Sequence, residues 1–200
     1  MSKAAGRRKK KGFVAEQSKT ALVLIDVIND LEFPEGKMLL KHAMPAARRI
    51  AALKAKATRR GIPTIYVNDN FGRWRSDFRA QVDRCLGIDI VGAEMVRLLV
   101  PNEADYFVLK PKHSGFHCTS LEILLKHIGA QTLILTGFAG NLCVLYTAND
   151  AYMRDFKLIV PRDCIASETR PANDYALSHM EECLRADIRP STRQGFFTKL

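Results

Sequence analysis

The chain has 200 residues, of which 47% are hydrophobic and 26% are charged, together with 12 glycines and 8 prolines. This composition is that of ordinary globular proteins, and it excludes collagen-like, wholly disordered and disulfide-framework chains. A chain of this length buries about 70% of its unfolded surface, which is enough for a hydrophobic core without disulfides or metals. No apolar run approaches the roughly 18 residues that span a bilayer, so we expect no membrane partner.

The formal net charge of +10 is unevenly distributed along the chain. Residues 1–12 contain six of the 31 basic residues and no acidic residue, whereas the rest is nearly balanced. We interpret residues 1–15 as a disordered basic tail and residues 16–200 as a single domain. Such a tail attracts phosphates nonspecifically, and beyond those contacts we expect no nucleic-acid partner.

Five cysteines, an odd number without a Cys-x-x-Cys pair, indicate free thiols in a reducing compartment. The basic N-terminus is not followed by the apolar stretch of a secretory signal, so we expect a cytoplasmic protein. His113 and His117 lie four residues apart beside Cys118, a spacing that suits metal ligands on a helix. Because Gly115 lies between them and no second ligand cluster exists in the sequence, we expect no metal and no cofactor.

Short apolar runs alternate with longer segments of helical periodicity after residue 16. In chain order, the pattern predicts a strand at 21–25, a helix at about 38–60, a strand at 64–67, a loop-rich stretch to about residue 87, and a helix at about 91–100. It then predicts a strand at 106–109, a helix that begins at Thr119 or Ser120 and ends at Gly129, a strand at 132–135, a helix at about 141–156, a strand at 157–160, and a last long helix after Pro171. This alternation predicts a Rossmann-like, three-layer α/β/α fold with a mostly parallel sheet of five or six strands.

Reactive side chains stand at the carboxyl ends of three predicted strands: Asp26, Lys110 and Cys143. Ligands of open parallel sheets bind beyond these ends, so we expect the three to converge on one crevice. Free N–H groups at the start of a helix, and the charge of Lys110, would favour a Cys143 thiolate. Asp26 could take the thiol proton and later give it to a leaving group. Each residue taken singly has a structural alternative, as buried filler, strand-end charge or cap, and the shared position favours the catalytic interpretation.

Three sequence blocks between about residues 20 and 170 follow one another in a specific order. They are residues 21–26 with Asn29 and Asp30, residues 110–116 with Thr119, Leu121 and Glu122, and residues 133–144 with Thr147, Ala148, Ala151, Asp163 and Ser167. In these blocks the chain resembles the isochorismatase-like cysteine hydrolases, which include nicotinamidases, N-carbamoylsarcosine and ureidoacrylate amidohydrolases, and isochorismatase itself. The resemblance implies a catalytic triad of Asp26, Lys110 and Cys143. It selects Lys110 over Lys112, because the family lysine lies four residues before the serine of a Ser-small-Phe motif.

The resemblance further implies a cis peptide between Phe138 and Ala139, just ahead of the nucleophile. The N–H groups of Ala139 and Cys143 would then form an oxyanion hole. The implied activity is metal-independent cleavage of an amide or carbamoyl-type C–N bond of a small molecule through a cysteine thioester. Because relatives assemble as dimers or tetramers, the resemblance also implies a homo-oligomer.

The sequence departs from the family pattern at several positions. Ile28 replaces a common glutamine, Leu31 a phenylalanine, and Cys118 a glycine. Nicotinamidases resemble one another in an Asp/His metal cluster after the second strand, whereas residues 69–75 contain no histidine. We therefore expect neither nicotinamidase activity nor a catalytic metal.

Two other functions remain open. An isochorismatase-type vinyl-ether hydrolase would rely on Asp26 alone, because proton transfer to carbon requires no thiol nucleophile. A noncatalytic scaffold, with nucleic-acid contacts made by the basic tail, would leave the three aligned side chains unexplained. The intact Cys143 favours amide-type cleavage over both.

The loop after the second predicted strand supplies candidate substrate-binding residues: Asn70, Arg73 and Trp74. Trp74 is the single tryptophan of the chain, and the loop could close over a small, anionic substrate. In the alternative interpretation, Trp74 and Phe78 pack on the body of the protein or on a partner subunit, and the arginines are solvated.

Overall fold

The computed structural model describes residues 17–198. It contains six strands: β1 (Thr20–Ile25), β2 (Thr64–Asp69), β3 (Tyr106–Lys110), β4 (Thr132–Phe138), β5 (Lys157–Ile159) and β6 (Ile165–Ala166). Its α-helices are α1 (Gly36–Thr58), α2 (Phe78–Cys85), α3 (Ala93–Leu98), α4 (Leu121–Ile128), α5 (Leu145–Tyr152) and α6 (Arg170–Leu184). The predicted basic tail over 1–15 lies outside the described residues, so that segment and the domain boundary stay predictions.

All described strand pairs are parallel, in the order β3-β2-β1-β4-β5, and β6 pairs with the end of β4. The central strand β1 is buried along its whole length, because helices cover both faces of the sheet. Leu22 and Leu24 face the core shared with α1, α2 and α3, while Ala21, Val23 and Ile25 face the core shared with α4, α5 and α6. The predicted three-layer α/β/α fold is confirmed.

Helix α2 corrects the prediction of a loop-rich stretch to residue 87. Asp77 caps this helix, since its Oδ1 accepts a hydrogen bond of 2.8 Å from the N–H of Ala80. Phe78, Val82 and Cys85 are buried on one face at helical spacing. The helix is short and polar on its other face, so its periodicity is weak in the sequence.

The segment after β4 also differs from its prediction as one helix over 141–156. It starts as a π-helical turn, Gly140–Val144, which leads into the shorter helix α5. Such turns open the i→i+4 hydrogen-bond pattern locally and often occur at functional sites. The start of α4 near Ser120 and its end at Gly129, which has φ +82°, agree with the prediction.

Among residues 17–198, no helix is both long and apolar enough to cross a bilayer.

Candidate active site

Asp26 lies directly after β1, in the middle of the sheet. Its backbone N–H donates to the Val67 carbonyl at 3.0 Å, and its Oδ1 accepts a hydrogen bond of 2.6 Å from the N–H of Asp69. The residue has a positive φ of 52° and is 4% exposed. A carboxylate is thus held below the surface at the carboxyl edge of the sheet.

Lys110 is the last residue of β3, and its side chain runs inward until none of it is exposed. The Nζ atom lies 2.9 Å from Asp26 Oδ2, 3.3 Å from Asp69 Oδ2 and 3.5 Å from Cys143 Sγ. A buried ammonium is costly unless carboxylates compensate its charge, and here two carboxylates do so.

Cys143 lies on the π-helical turn and is half-buried. The turn is anchored where the N–H of Asn141 donates to Ser167 Oγ at 3.1 Å, and Ser167 Oγ in turn bonds Asn173 Oδ1 at 3.2 Å. Immediately before the turn, the peptide bond between Phe138 and Ala139 is cis.

The ionisation state of Cys143 differs from the sequence-based expectation of a thiolate. Burial raises the pKa of the Cys143 thiol, and the Asp26 carboxylate raises it further, while Lys110 lowers it. Burial and the neighbouring carboxylate outweigh the lysine, so the pKa of the thiol lies above its ordinary value, which favours the protonated form. A thiol in this state needs a base before it can act as a nucleophile.

The pKa values of Asp26 and Lys110, the two charged neighbours of the sulfur, are shifted in directions that favour acid–base chemistry. Burial raises the pKa of Asp26 above its ordinary value, although Lys110, Cys143 and the Asp69 N–H oppose that shift. Burial alone would lower the pKa of Lys110, but the nearby Asp26, Cys143 and Asp69 raise it, so the lysine stays charged. A carboxylate with a raised pKa is a better proton acceptor.

Two residues of this cluster were not predicted from the sequence to be catalytic. Asp69, at the end of β2, has its Oδ2 3.3 Å from Lys110 Nζ, and its position at a strand end was the signal that the sequence offered. His113 has its ring Nδ1 3.7 Å from Cys143 Sγ, and its ring centroid lies 5.4 Å from that of Tyr146. In the sequence, His113 stood out only as a weak metal-ligand candidate.

The predicted substrate-binding residues lie in the loop beside this cluster. The N–H of Asn70 donates to the Lys110 carbonyl at 3.0 Å, and Asn70 and Arg73 line a small cavity together with Asp30. Trp74 is 77% exposed, so the alternative in which it packs on the body of the chain is wrong, whereas Phe78 is buried as that alternative required. Substrate binding by this loop stays a prediction.

Within the described part of the chain, no group of three or more His, Cys, Asp and Glu side chains is arranged to hold a metal ion.

Comparison with known proteins places this geometry in a family. Residues 20–188 match the model of the isochorismatase domain. The chain belongs to the isochorismatase family. The expectation of an isochorismatase-like hydrolase is thereby confirmed.

Individual isochorismatase-family proteins are similar over most of their length. YaaI, an isochorismatase family protein of Bacillus subtilis, is 41% identical over 168 residues, which cover 84% of this chain and 92% of YaaI. The structure of N-carbamoylsarcosine amidase from Thermoplasma acidophilum superposes with a TM-score of 0.67 at 26% identity, covering 88% of this chain and 99% of that one. The pyrazinamidase/nicotinamidase of Streptococcus mutans gives a TM-score of 0.65 at 27% identity, covering 84% and 99%.

Proposed function

We propose that this isochorismatase-family protein is a metal-independent cysteine hydrolase that cleaves an amide or carbamoyl-type C–N bond of a small molecule. The observation that carries the proposal is the position of Lys110 Nζ, which lies 2.9 Å from Asp26 Oδ2 and 3.5 Å from Cys143 Sγ. A nucleophile, a base and a cation thus share one site, and the cycle needs no cofactor.

In the first half of the proposed reaction, Asp26 takes the proton of the Cys143 thiol. The sulfur attacks the substrate carbonyl carbon, and Lys110 compensates the charge that remains around the sulfur and the carboxylates. The N–H groups of Ala139 and Cys143 stabilise the oxyanion of the tetrahedral intermediate. The C–N bond then breaks, and the nitrogen leaves with a proton from the solvent side of the site, which the attacking water restores in the second half.

In the second half, water hydrolyses the thioester on Cys143 and releases the acid. As the C–S bond breaks, the sulfur recovers its proton from Asp26. Asp26 therefore returns to its starting state, and both halves use the same buried carboxylate.

The relatives and the loop after β2 support the proposed substrate class. A carbamoyl amidase and a nicotinamidase, both superposing over more than 80% of this chain, are amide hydrolases by name. Residues 69–75 lack the histidines of the nicotinamidase metal cluster, which favours an open-chain amide over nicotinamide. A small anionic substrate suits Arg73 in this loop. We further propose a cytoplasmic homo-oligomer.

Membership of the family also supports a second candidate, a vinyl-ether hydrolase that uses Asp26 to protonate carbon. This chemistry would leave Cys143 without a role, although its sulfur lies within 4 Å of both Lys110 and His113. The amide reaction uses the whole cluster and is therefore the better supported function.

A substrate panel tests the proposal on the full-length protein. The panel contains N-carbamoyl amino acids, primary aliphatic amides, nicotinamide and isochorismate, with release of ammonia or pyruvate as the readout. We expect ammonia from an open-chain amide, together with an acyl adduct on the Cys143 peptide after acid quenching and mass spectrometry. Turnover of isochorismate without turnover of any amide would support the vinyl-ether candidate instead.

A further inference from the structure

The Cys143 sulfur has a second neighbour on its solvent side. The inner side meets the buried pair of Asp26 and Lys110, whereas the outer side meets the ring of His113, whose Nδ1 is 3.7 Å away. His113 is exposed, in contrast to Asp26 and Lys110. The reacting atom therefore lies between a buried carboxylate and an accessible imidazole.

We infer that His113 is a catalytic acid–base residue on the solvent side of Cys143, which gives a proton to the leaving nitrogen and takes one from the attacking water. This inference rests on the proposed function. In this scheme, Asp26 accepts and returns the proton of the thiol, whereas His113 protonates the leaving nitrogen and deprotonates the attacking water.

Hydrogen bonds to Thr147 connect the segment that carries His113 to the turn that carries Cys143. Two residues beyond the histidine, the N–H of Gly115 donates to Thr147 Oγ1 at 3.0 Å, and the same hydroxyl donates to the Cys143 carbonyl at 2.7 Å. Thr147 is fully buried, and Tyr146 next to it contacts the His113 ring. The imidazole is thus positioned relative to the turn that carries the sulfur.

Asp26 is poorly placed to serve the leaving nitrogen as well. Its Oδ1 accepts from the Asp69 N–H at 2.6 Å, and its Oδ2 lies 2.9 Å from Lys110 Nζ, so both oxygens already have partners. The carboxylate is 4% exposed and lies on the inner side of the sulfur. A leaving group that departs toward solvent meets His113 first.

With these roles for Asp26 and His113, every proton is accounted for over one turnover. The Cys143 proton passes to Asp26 as the S–C bond forms, and the imidazolium of His113 protonates the nitrogen as the C–N bond breaks. The neutral imidazole then accepts a proton from water as the O–C bond forms. Finally the C–S bond breaks, and Asp26 returns its proton to the sulfur, which leaves the acid, the amine and the starting enzyme.

The direction of the pH dependence follows from this role. Imidazole is the side chain that titrates between about pH 5 and pH 8, and only its protonated form can donate to the leaving nitrogen. The rate of amide cleavage should therefore decline on the alkaline side of its pH profile, and this decline should be absent when His113 is replaced. The titratable groups around the ring are Lys112, Cys143 and Tyr146 beside it, with Lys110, Asp26 and Asp69 behind the sulfur.

The test compares His113→Asn with His117→Asn, a control at an exposed histidine four residues along the chain. Asparagine keeps a nitrogen donor near the Nδ1 position but cannot exchange a proton. On the best amide of the panel, we expect His113→Asn to lose about 100-fold in kcat and to lose the decline at alkaline pH. On p-nitrophenyl acetate, whose leaving group departs without a proton, the pre-steady-state burst reports acylation alone, and the burst rate of the same variant should stay within a few-fold of wild type.

Equal losses in amide turnover and in the ester burst rate would overturn the inference, because a merely structural role slows acylation by both substrates alike. An unchanged amide rate would overturn it as well. His117→Asn should match wild type on both substrates.

Alkylation by chloroacetamide separates this inference from the proposed function. A positive charge on the ring 3.7 Å from Sγ favours the thiolate, so His113→Asn should change the pH profile of Cys143 alkylation relative to wild type. Identical profiles with a reactive Cys143 would overturn the role of His113 and leave the proposed function standing. A Cys143 that reacts with neither chloroacetamide nor p-nitrophenyl acetate would overturn the proposed function, and the inference with it.

Discussion

Lys110 Nζ lies 2.9 Å from Asp26 Oδ2, and neither side chain is more than 6% exposed. Such a pair is stable only when the partners keep each other charged, since removal of one leaves an uncompensated buried charge. Asp69, 3.3 Å from the same Nζ, adds a second carboxylate. The lysine therefore acts as a fixed positive charge beside the sulfur.

The first prediction concerns the opposite effects of Asp26 and Lys110 on Cys143. Because Asp26 raises the pKa of the thiol and Lys110 lowers it, Asp26→Asn should shift the alkylation profile of Cys143 to lower pH and Lys110→Met to higher pH. Both variants should nevertheless lose amide hydrolysis, since each lacks part of the acid–base machinery. Iodoacetamide alkylation resolved by mass spectrometry measures the shifts.

Exposed Cys183 on α6 supplies an internal control for these profiles, because its alkylation should be the same in all three proteins. Shifts of Cys143 in the same direction for both variants would contradict the electrostatic account.

A second prediction concerns Ser167, whose hydroxyl anchors the π-helical turn that carries Cys143. Ser167→Ala removes the acceptor of the Asn141 N–H and should lower the free energy of unfolding by about 1–3 kcal/mol. Displacement of the turn by a fraction of an ångström should also lower kcat by about 10-fold or more with little change in KM. Urea denaturation and steady-state kinetics measure the two effects.

Ser178→Ala is the matched control, because Ser178 is exposed and its hydroxyl only bonds Glu182 on the same helix. We expect it to stay within about 0.5 kcal/mol of wild type. If Ser167→Ala behaved like this control, the anchor would have no role.

The third prediction tests how closely β4 approaches β1. Gly137 has φ +119° and lies opposite Ile25, and a Cβ at this position would come 2.0 Å from the Ile25 carbonyl oxygen. Gly137→Ala should therefore destabilise the protein by more than about 4 kcal/mol, seen as a large loss in denaturation midpoint or in soluble yield. Gly61→Ala, also at positive φ but with no atom within 4 Å, should cost about 1–2 kcal/mol. Equal costs at the two positions would contradict the close approach of the strands.

The fourth prediction addresses the loop after β2. Trp74 is the single tryptophan and is 77% exposed, so its fluorescence reports on this loop alone. If the loop closes over substrate, saturating amide added to the Cys143→Ala variant should shift the emission to shorter wavelength and reduce quenching by acrylamide. An unchanged spectrum at saturation would show that Trp74 does not cover the site.

The strand ends were the most predictable part of the molecule. The fully apolar run before Asp26 predicted a buried central strand, and the parallel topology then predicted that Asp26, Lys110 and Cys143 would lie at one edge. Their separations of 2.9–3.5 Å around Lys110 Nζ agree with that expectation of position. Their catalytic roles stay proposals.

Other features of the site depend on contacts that a linear pattern does not reveal. Asp69 and His113 acquire their positions from the pairing of β2 with β3 and from the hydrogen bond between Gly115 and Thr147. The raised pKa of the Cys143 thiol results from burial by distant segments, whereas its neighbours in the sequence suggested a thiolate. Helix α2 was not recognised in the sequence, because it is short and its polar face weakens the helical periodicity of its apolar residues.

The most direct test of the central claim is the activity of Cys143→Ala on the best amide substrate and on isochorismate. If the sulfur is the nucleophile, amide hydrolysis should fall by at least about 10³-fold, because the binding site and Asp26 alone cannot form the thioester. Asp26→Asn, measured in parallel, should also be inactive. Retention of near wild-type hydrolysis by Cys143→Ala, with activity lost only in Asp26→Asn, would contradict the cysteine mechanism and establish Asp26 as the single essential group.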